Sequence, residues 1–247
     1  MDNALLECLR TYILENIIPD FGDIQSKKFA QYFDEIVEWN NKFNLISFKN
    51  FNDLIYRHFC DSLYGAKLIK SLTKKTGLKI ADIGTGSGMP GIPVKIALGD
   101  TDLTLIESIN KKCKFLENVK DKLNIDIKIL NARAEEIGRK KQYRQKYDFV
   151  LSRAVSKLSP NLEFAVPLLK TGGYFIVYKT KNSAFDENEG LPSVKNALRH
   201  LGVKLEKFME YKLPEQELIY CLLAFKKYKE TPDMFPRKTG IPQKRPL

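Results

Sequence analysis

The sequence predicts an α/β fold built on a doubly wound, largely parallel β-sheet. From residue 78 onward, short runs rich in β-branched residues alternate with helical patterns, and this alternation is typical of a parallel sheet with helices on both faces. The last two runs, 204–213 and 218–227, are separated by only four residues. A parallel crossover needs about a dozen residues, so these two strands must form an antiparallel hairpin.

Five further strands precede the hairpin, so the predicted sheet has seven strands and an antiparallel last strand. Each strand is a short apolar run bounded by turn residues or by a helical pattern. The five strands are predicted at 78–84, 103–108, 125–131, 147–154 and 172–179. The clearest helical patterns between them lie at 110–124, within 156–170 and at 191–202.

Residues 1–75 predict a helical extension in front of the core, which we assign to 76–229. Apolar residues recur at helical spacing in 4–18, after Ser26 as a predicted N-cap, and from about residue 51 to 69. The remaining segment, 230–247, contains four prolines and four basic residues. We expect this basic C-terminal tail to be extended and poorly packed.

The chain carries an excess of positive charge. It has 41 Lys+Arg against 30 Asp+Glu and a formal net charge of +11, with a pI of about 9.3. Two interpretations stay open at this point. The lysines either solvate the surface of an otherwise ordinary globular protein or attract a polyanionic partner such as RNA or DNA.

Cysteine spacing and the N-terminal sequence point to a reducing compartment. The four cysteines form no CxxC pair or zinc-ligand spacing, and the two histidines add little metal-binding capacity, so we expect neither disulfides nor a metal site. Asp2 stands where a signal peptide carries positive charge, and no apolar run is long enough to span a membrane. We therefore expect a cytoplasmic protein. We expect it to be a monomer, because no apolar heptad stands out.

A glycine-rich loop follows the first predicted strand and forms the strongest local signal. Gly84, Gly86 and Gly88 occupy every second position directly after the strand, and residues without a Cβ let a backbone turn sharply and approach a ligand. The dinucleotide pattern G-x-G-x-x-G also fits, but only from Gly86 onward, two positions late. The early start and the terminal hairpin favour S-adenosylmethionine (SAM) over a nicotinamide cofactor, with a plain structural turn as the third interpretation.

Acidic residues near this loop are candidates for cofactor contacts. Glu107 ends the second strand, where a carboxylate can accept hydrogen bonds from ribose hydroxyls of either cofactor. Asp82 lies on the first strand, where an acid can approach the methionine part of SAM. Ala134 and Glu135 follow the third strand and are best placed for adenine, whereas Glu136 fits a solvated charge at a helix start.

Several stretches of the sequence together resemble one protein family. The glycine loop with its two prolines, within 81–97, and the SRA triplet within 150–158 are the most specific of them. They resemble the bacterial 16S ribosomal RNA guanine-N7 methyltransferases, the RsmG or GidB family. The other matching stretches lie at 39–47, 57–63, 105–119, 131–136 and 236–247.

The resemblance implies a class I SAM-methyltransferase sheet, SAM as the methyl donor, and 16S RNA or the 30S subunit as the partner. It implies an enzyme that methylates N7 of one guanine, guanosine 527. Two alternatives remain, a non-catalytic RNA- or ribosome-binding module on the same fold and a nicotinamide-dependent oxidoreductase. The SAM contacts that the resemblance implies fall on Gly84, Met89, Ala134, Glu135 and Arg153.

The implied reaction needs no general base. Guanine N7 carries a lone pair and no hydrogen, so it can attack a methyl group directly when it is held in line. We therefore expect positioning residues, with Arg153, His58 and Asn44 as candidates. Arg153 could instead form a structural ion pair, His58 could be a satisfied core histidine, and Asn44 could cap a helix.

Basic residues in the matching stretches are candidate RNA contacts. A cation can bind a phosphate group without reading the sequence of the nucleic acid. For the tail, solvated charge without a ligand is the competing interpretation. The candidates are Arg57, Lys179, Arg237, Lys238, Lys244 and Arg245.

Overall fold

The computed structural model describes Met1 and residues 3–247, so Asp2 lies outside the described residues. Within them the strands form one seven-stranded sheet in the order β3-β2-β1-β4-β5-β7-β6. The strands are β1 (Leu78–Ile83), β2 (Thr101–Glu107), β3 (Ile127–Asn131), β4 (Tyr147–Arg153), β5 (Leu169–Thr180), β6 (Val203–Lys212) and β7 (Ile219–Lys227).

Strand directions confirm the predicted fold class. β1 pairs in parallel with β2 and β4, and β4 pairs in parallel with β5. β7 is antiparallel to both β5 and β6, which makes β6 and β7 the expected hairpin. The order reverses between β1 and β4, and in open α/β sheets ligands bind beside such a point, at the carboxyl ends of the strands.

Helices cover both faces of the sheet. None of those in the described part of the chain has the length and the apolar content that crossing a membrane requires. They are α1 (Asn3–Asn16), α2 (Asp23–Asn40), α3 (Phe51–Asp53), a π-helix (Leu54–Cys60), α4 (Asp61–Leu72), α5 (Gly91–Leu98), α6 (Asn110–Leu123), α7 (Ala134–Arg139), α8 (Leu158–Ala165), α9 (Lys181–Phe185), α10 (Lys195–Leu201) and α11 (Ile241–Lys244).

The N-cap predicted at Ser26 is wrong, because α2 begins at Asp23. Gly22 is the N-cap, and its backbone N–H donates to the Gln25 side chain at 3.1 Å. Ser26 lies inside the helix, where its Oγ donates to the Gly22 carbonyl at 3.1 Å. A serine that bonds to the carbonyl four residues earlier resembles a cap in sequence but continues the helix in structure.

The third predicted helix is continuous from α3 to α4 but changes its winding in the middle. Residues Leu54–Cys60 form a π-helix, a rare conformation that is common at functional sites. This change could not be predicted, because an apolar pattern over 51–69 fits either winding. The π-helix lies directly beside the cavity described below.

Two apolar cores hold the fold together, one on each face of the sheet. On one face, side chains of the N-terminal helices such as Tyr32 and Phe59 pack with Ile92 and Leu105. On the other, α8 packs on residues such as Phe175. The predicted division at residue 75 stays a prediction about folding units, since α1–α4 share one core with the sheet.

The prediction of a poorly packed C-terminal tail is wrong. Phe235 is 3% exposed, and the Arg144 guanidinium donates to the carbonyls of Thr231 and Phe235 at 2.7 and 2.6 Å. Arg237 forms an ion pair with Glu163, a fully buried carboxylate of α8. These anchors lie about 70–90 residues away in sequence, so tail composition could not indicate them.

Candidate active site

A cavity of about 690 Å³ opens at the carboxyl ends of β1, β4 and β5. A volume of this size is typical of a site for a nucleotide-sized ligand. The glycine loop, residues 84–91, forms one wall and the π-helix forms another. The segment that follows β4 and the end of β5 complete the wall.

The backbone of the glycine loop faces this cavity. Gly84 has φ +64°, and a Cβ there would lie 2.6 Å from Val155 Cγ2, so only glycine fits. Gly86 has φ +60°, but the nearest atom to its Cβ position would be Lys112 Nζ at 3.8 Å. The backbone at Gly86 is therefore open to a ligand, and a side chain at this position would fill that space.

Glu107 stabilises the loop from the end of β2. Its Oε2 accepts a hydrogen bond from the Gly86 N–H at 2.9 Å, and its Oε1 accepts one from the Ile109 N–H at 2.8 Å. The residue is 6% exposed and is not among the side chains that line the cavity. Its predicted contact with a ribose stays a prediction.

Asp82 lies under the loop and not on the cavity wall. Its Oδ2 accepts hydrogen bonds from Thr85 Oγ1 at 2.6 Å and from the Gly91 N–H at 2.8 Å. Its Oδ1 is buried and has no partner among the described residues. Burial raises the pKa of Asp82 to about 7, although the bonds from Thr85 and Gly91 favour the charged form.

The predicted adenine contacts lie apart from the cavity wall. Ala134 and Glu135 begin α7, and Glu135 is 5% exposed. Its Oε1 accepts a long hydrogen bond of 3.4 Å from the Gly240 N–H of the tail. Met89 does line the cavity.

Arg153 is held by the π-helix at the end of β4. Its Nη1 donates to the carbonyl of Arg57 at 3.1 Å and to Asp61 Oδ2 at 3.0 Å. Its Nη2 donates to His58 Nδ1 at 3.0 Å. The structure therefore shows both an ion pair, as in the competing interpretation, and a guanidinium on the cavity wall.

His58 is a neutral member of the same network. Its Nδ1 accepts from Arg153, and its Nε2 lies 3.1 Å from the Ser47 carbonyl, to which it donates in the tautomer that this arrangement requires. Burial, together with the positive charges of Arg153 and Arg57, lowers the pKa of His58 to about 3. His58 is thus satisfied in the core and also lines the cavity.

Asp61 is a member of this network that the sequence did not single out. Its Oδ2 binds Arg153, and its Oδ1 accepts a hydrogen bond from the Tyr211 hydroxyl at 2.5 Å. Burial raises the pKa of Asp61, and the Arg153 guanidinium opposes that rise. Tyr211 is 150 residues away in sequence, so no local pattern could have indicated the pair.

Asn44 does not line the cavity. It is exposed, whereas its neighbours Leu45 and Ile46 do contribute to the wall. The C-cap of α2 is Asn41, so the interpretation of Asn44 as a helix cap is wrong. Asn44 stays a predicted positioning residue without a contact to support it.

Positive charge dominates the cavity wall. Arg57 and Lys179, both predicted RNA contacts, lie on it, and Arg57 Nη1 is 3.4 Å from the buried Asp53 carboxylate. Asp61 is the acidic side chain on the described wall, and Arg153 pairs with it. The wall therefore favours an anionic ligand. Its cations are Lys49, Arg57, Lys112, Arg153 and Lys179.

The basic residues of the tail are separate from this wall. Arg237 donates from Nε and Nη2 to Glu163 at 2.9 and 2.6 Å, so its guanidinium is engaged in packing the tail. Lys238, Lys244 and Arg245 are exposed. Their predicted role in binding phosphate stays a prediction.

The strand order, the terminal hairpin and the glycine loop define a class I SAM-methyltransferase fold. A putative sarcosine dimethylglycine methyltransferase from Galdieria sulphuraria superimposes with a TM-score of 0.55 at 13% identity, over 81% of this chain and 99% of that one. TYW2 from M. jannaschii, solved in complex with AdoMet, gives a TM-score of 0.50 at 13% identity, over 68% and 76% of the two chains.

The sequence then identifies the family within that class. Residues 25–219 match rRNA small subunit methyltransferase G, the GidB family, and the chain belongs to this family. A Ribosomal RNA small subunit methyltransferase G from Lachnoclostridium phytofermentans is 40% identical over 95% of this chain and 94% of its own. One from Streptococcus pneumoniae is 36% identical over 98% and 99%. The family expected from the sequence is confirmed.

Proposed function

We propose that this protein transfers the methyl group of SAM to N7 of one guanine, guanosine 527, in 16S ribosomal RNA. The observation that carries the proposal is one cavity that joins the open backbone at Gly86 to the wall of cations around Arg153. Membership of the rRNA methyltransferase family supports the same reaction class. We place the activity in the cytoplasm, where small-subunit RNA is found, and in a monomer.

The residues present fit SAM at one end of the cavity. Gly84, Gly86 and Met89 offer backbone and apolar surface there, and the backbone at Gly86 is open to a ligand. Arg153 can meet an anionic group such as a carboxylate. When bound, SAM supplies an electrophilic methyl group.

The side chains on the wall are suited to positioning and not to proton transfer. Both ring nitrogens of His58 are engaged, and its low pKa keeps it neutral. Both carboxylate oxygens of Asp61 are also engaged. Because attack by guanine N7 releases no proton at that atom, a rigid network that fixes Arg153 is what the reaction requires.

The wall of cations supports an RNA substrate. Lys49 and Arg57 lie on the side of the π-helix, and Lys179 lies on the end of β5. Such charges attract the phosphate backbone regardless of sequence. A base that reaches the cavity must first leave its stack, as bases do in other enzymes that modify them.

The test is methyl transfer from tritiated SAM to 30S subunits prepared from a strain that lacks this gene, with naked 16S RNA in parallel. Borohydride and aniline cleavage then locates N7-methylguanine. One strong stop at guanosine 527, lost in Arg153→Met, would support the proposal. SAM binding with no RNA methylation would support SAM as the cofactor and exclude 16S RNA as the substrate. A Gly84→Asp variant that keeps full cellular function would instead support a non-catalytic binding module.

A further inference from the structure

One polar side chain on the cavity wall has no partner for either end of its amide. Asn161 of α8 is 1% exposed, and neither its Oδ1 nor its Nδ2 is hydrogen-bonded to another described residue. It lines the same cavity as Arg153. Because buried polar groups are nearly always paired, an amide with both ends free points to a partner outside the chain.

Packing does not explain an asparagine at this position. Asn161 lies three residues after Leu158 and four before Ala165, so it shares the stripe of α8 that faces the sheet. Leu158 and Ala165 are fully buried in the apolar core of that face. A leucine at position 161 would complete this stripe without a desolvated amide, so the amide indicates a function.

A second unpartnered group reaches the same region from β5. Val177 belongs to the core on the α8 face, and Lys179 follows it by two residues on the same face of the strand. Lys179 is half-buried and lines the cavity. Within the described residues it forms no hydrogen bond or salt bridge, and burial lowers its pKa.

A third polar atom lies next to them on β4. Ser152 is opposite Val177 in the parallel register, and it is fully buried with an unpaired Oγ. Residues opposite each other in a parallel pair point to the same face, so Ser152 is on the α8 side. Within the described residues, one face of the sheet therefore carries an amide, a hydroxyl and an ammonium group whose side chains form no hydrogen bond. The carboxylates of Glu189 and Asp186 act on the Lys179 ammonium group through their charge alone.

We infer that Asn161 and Lys179 form a subsite that recognises the guanine base and selects it over adenine. This inference rests on the proposed function, in which N7 faces the methyl group. The base then has O6 as an acceptor and N1–H as a donor. Lys179 Nζ donates to O6, and Asn161 Oδ1 accepts from N1–H. Adenine presents its amino donor to Lys179, so its fit is poor. In this subsite Lys179 contacts the base, and the other cations of the wall stay candidates for contacts to phosphate.

The test uses two variants of the full chain and one matched control. Asn161→Leu keeps the branched shape of the side chain and removes both unpaired polar atoms, and the added methyl groups can extend into the cavity that residue 161 lines. Its melting temperature should therefore equal or exceed that of the wild type. Lys179→Met removes the ammonium group. Lys181→Met removes the same charge two residues further on, from a lysine that is 2.9 Å from Glu210.

We expect the two subsite variants to bind SAM as the wild type does and to methylate RNA less efficiently. The SAM dissociation constant, measured by calorimetry, should stay within about twofold of wild type in all three variants. For methyl transfer to unmodified 30S subunits, kcat/KM should fall about 10–100-fold in Asn161→Leu and Lys179→Met. Lys181→Met should be unaffected. The double variant should lose less than the product of the single losses, because both side chains bind one base edge.

Base selection gives a readout that a merely structural role would not change. With subunits that carry adenine at the target position, Lys179→Met should narrow the ratio of guanine to adenine methylation. Asn161→Leu and Lys179→Met enzymes with wild-type kcat/KM and an unchanged ratio would overturn the subsite alone. A wild-type enzyme that methylates no 30S RNA in the same assay would overturn the proposed function and the subsite with it.

Discussion

At the scale of single residues, Gly84 connects the end of β1 to the cavity through a backbone conformation that other residues rarely adopt. Its φ of +64° and the 2.6 Å approach of Val155 to a Cβ position are two separate obstacles to a side chain. Gly99 has a similar φ of +71° but no atom within 4 Å of its Cβ position. Substitutions at Gly84 and Gly99 therefore distinguish the cost of backbone strain, which both would incur, from the cost of a steric clash, which only Gly84 would incur.

We expect Gly84→Ala to destabilise the fold by about 1–3 kcal/mol from strain alone, with a further loss from the contact to Val155. SAM affinity should fall as well, because the loop must shift. Gly99→Ala should show the strain cost and bind SAM normally. Urea unfolding and calorimetry measure the two effects, and equal results for both variants would contradict this assignment.

Asp82 gives a second prediction at this scale, in its dependence on pH. Burial raises the pKa of Asp82 from 3.8 to about 7. Between pH 3.8 and about 7, Asp82 is therefore protonated in the folded state and ionised in the unfolded state. Stability should therefore decrease with rising pH across this window, by about 1.4 kcal/mol per pH unit, and level off above it.

Asp82→Asn removes this titration, so the comparison isolates it from other groups. From pH 4 to pH 7 the unfolding free energy of the wild type should fall relative to that of Asp82→Asn, because only the wild type has this titrating group. Asp102→Asn, an exposed change on the neighbouring strand, is the control. A difference that stays constant with pH would show that Asp82 is ionised throughout.

At the scale of elements, one buried ion pair anchors the C-terminal tail in addition to the bonds from Arg144. Glu163 is fully buried in α8, and Arg237 supplies both a backbone N–H and its guanidinium to it. Removing the cation leaves a buried charge without compensation. We expect Arg237→Met to cost about 3–5 kcal/mol.

The double variant Glu163→Gln with Arg237→Met should recover most of that loss, since it removes both charges. Lys238→Met, at the adjacent exposed lysine, should stay within about 0.5 kcal/mol of wild type. Chemical denaturation measures all three. If Arg237→Met unfolds at the wild-type midpoint, the pair contributes little and other contacts hold the tail.

The same scale shows what the sequence could and could not predict. The apolar run and the turn residues that bound it predicted β1 at 78–84, and the observed strand is Leu78–Ile83. The four-residue connection between the last two strands predicted the antiparallel hairpin. Local patterns do not contain long-range pairing, so the anchoring of the tail and the π-helix were missed. Arg153 of β4 donates to the Arg57 carbonyl within Leu54–Cys60 across 96 residues of sequence, a contact that no local pattern could indicate.

The site shows the same limit. Gly84, Arg153 and His58 were identified because they lie in dense local motifs, and they do lie on the cavity. Asp61 and Asn161 were missed because their importance rests on partners, or on the lack of them, which only the fold reveals.

At the scale of the whole molecule, part of the net charge of +11 lies at the cavity, where the described wall carries five cations against one paired acid. Such a surface binds nucleic acid by releasing counterions, which makes the affinity depend on salt. Charges on the rest of the surface keep a protein soluble without forming a nucleic-acid site. A lysine on the wall and a lysine at the far end of the sheet should therefore differ in their effect.

Lys49 is exposed on the wall of the cavity. Lys204 is also exposed, but its register partner on β7 is Lys226, which pairs with Tyr174 near the middle of β5. None of these three residues lines the cavity. Both changes to glutamine remove one charge from the molecule. For binding to 16S RNA between about 50 and 200 mM salt, Lys49→Gln should reduce the slope of log K against log salt by about 0.7–0.9. Lys204→Gln should leave the slope unchanged. Filter binding measures both slopes, and an equal reduction would mean that net charge, and not the cavity wall, attracts the RNA.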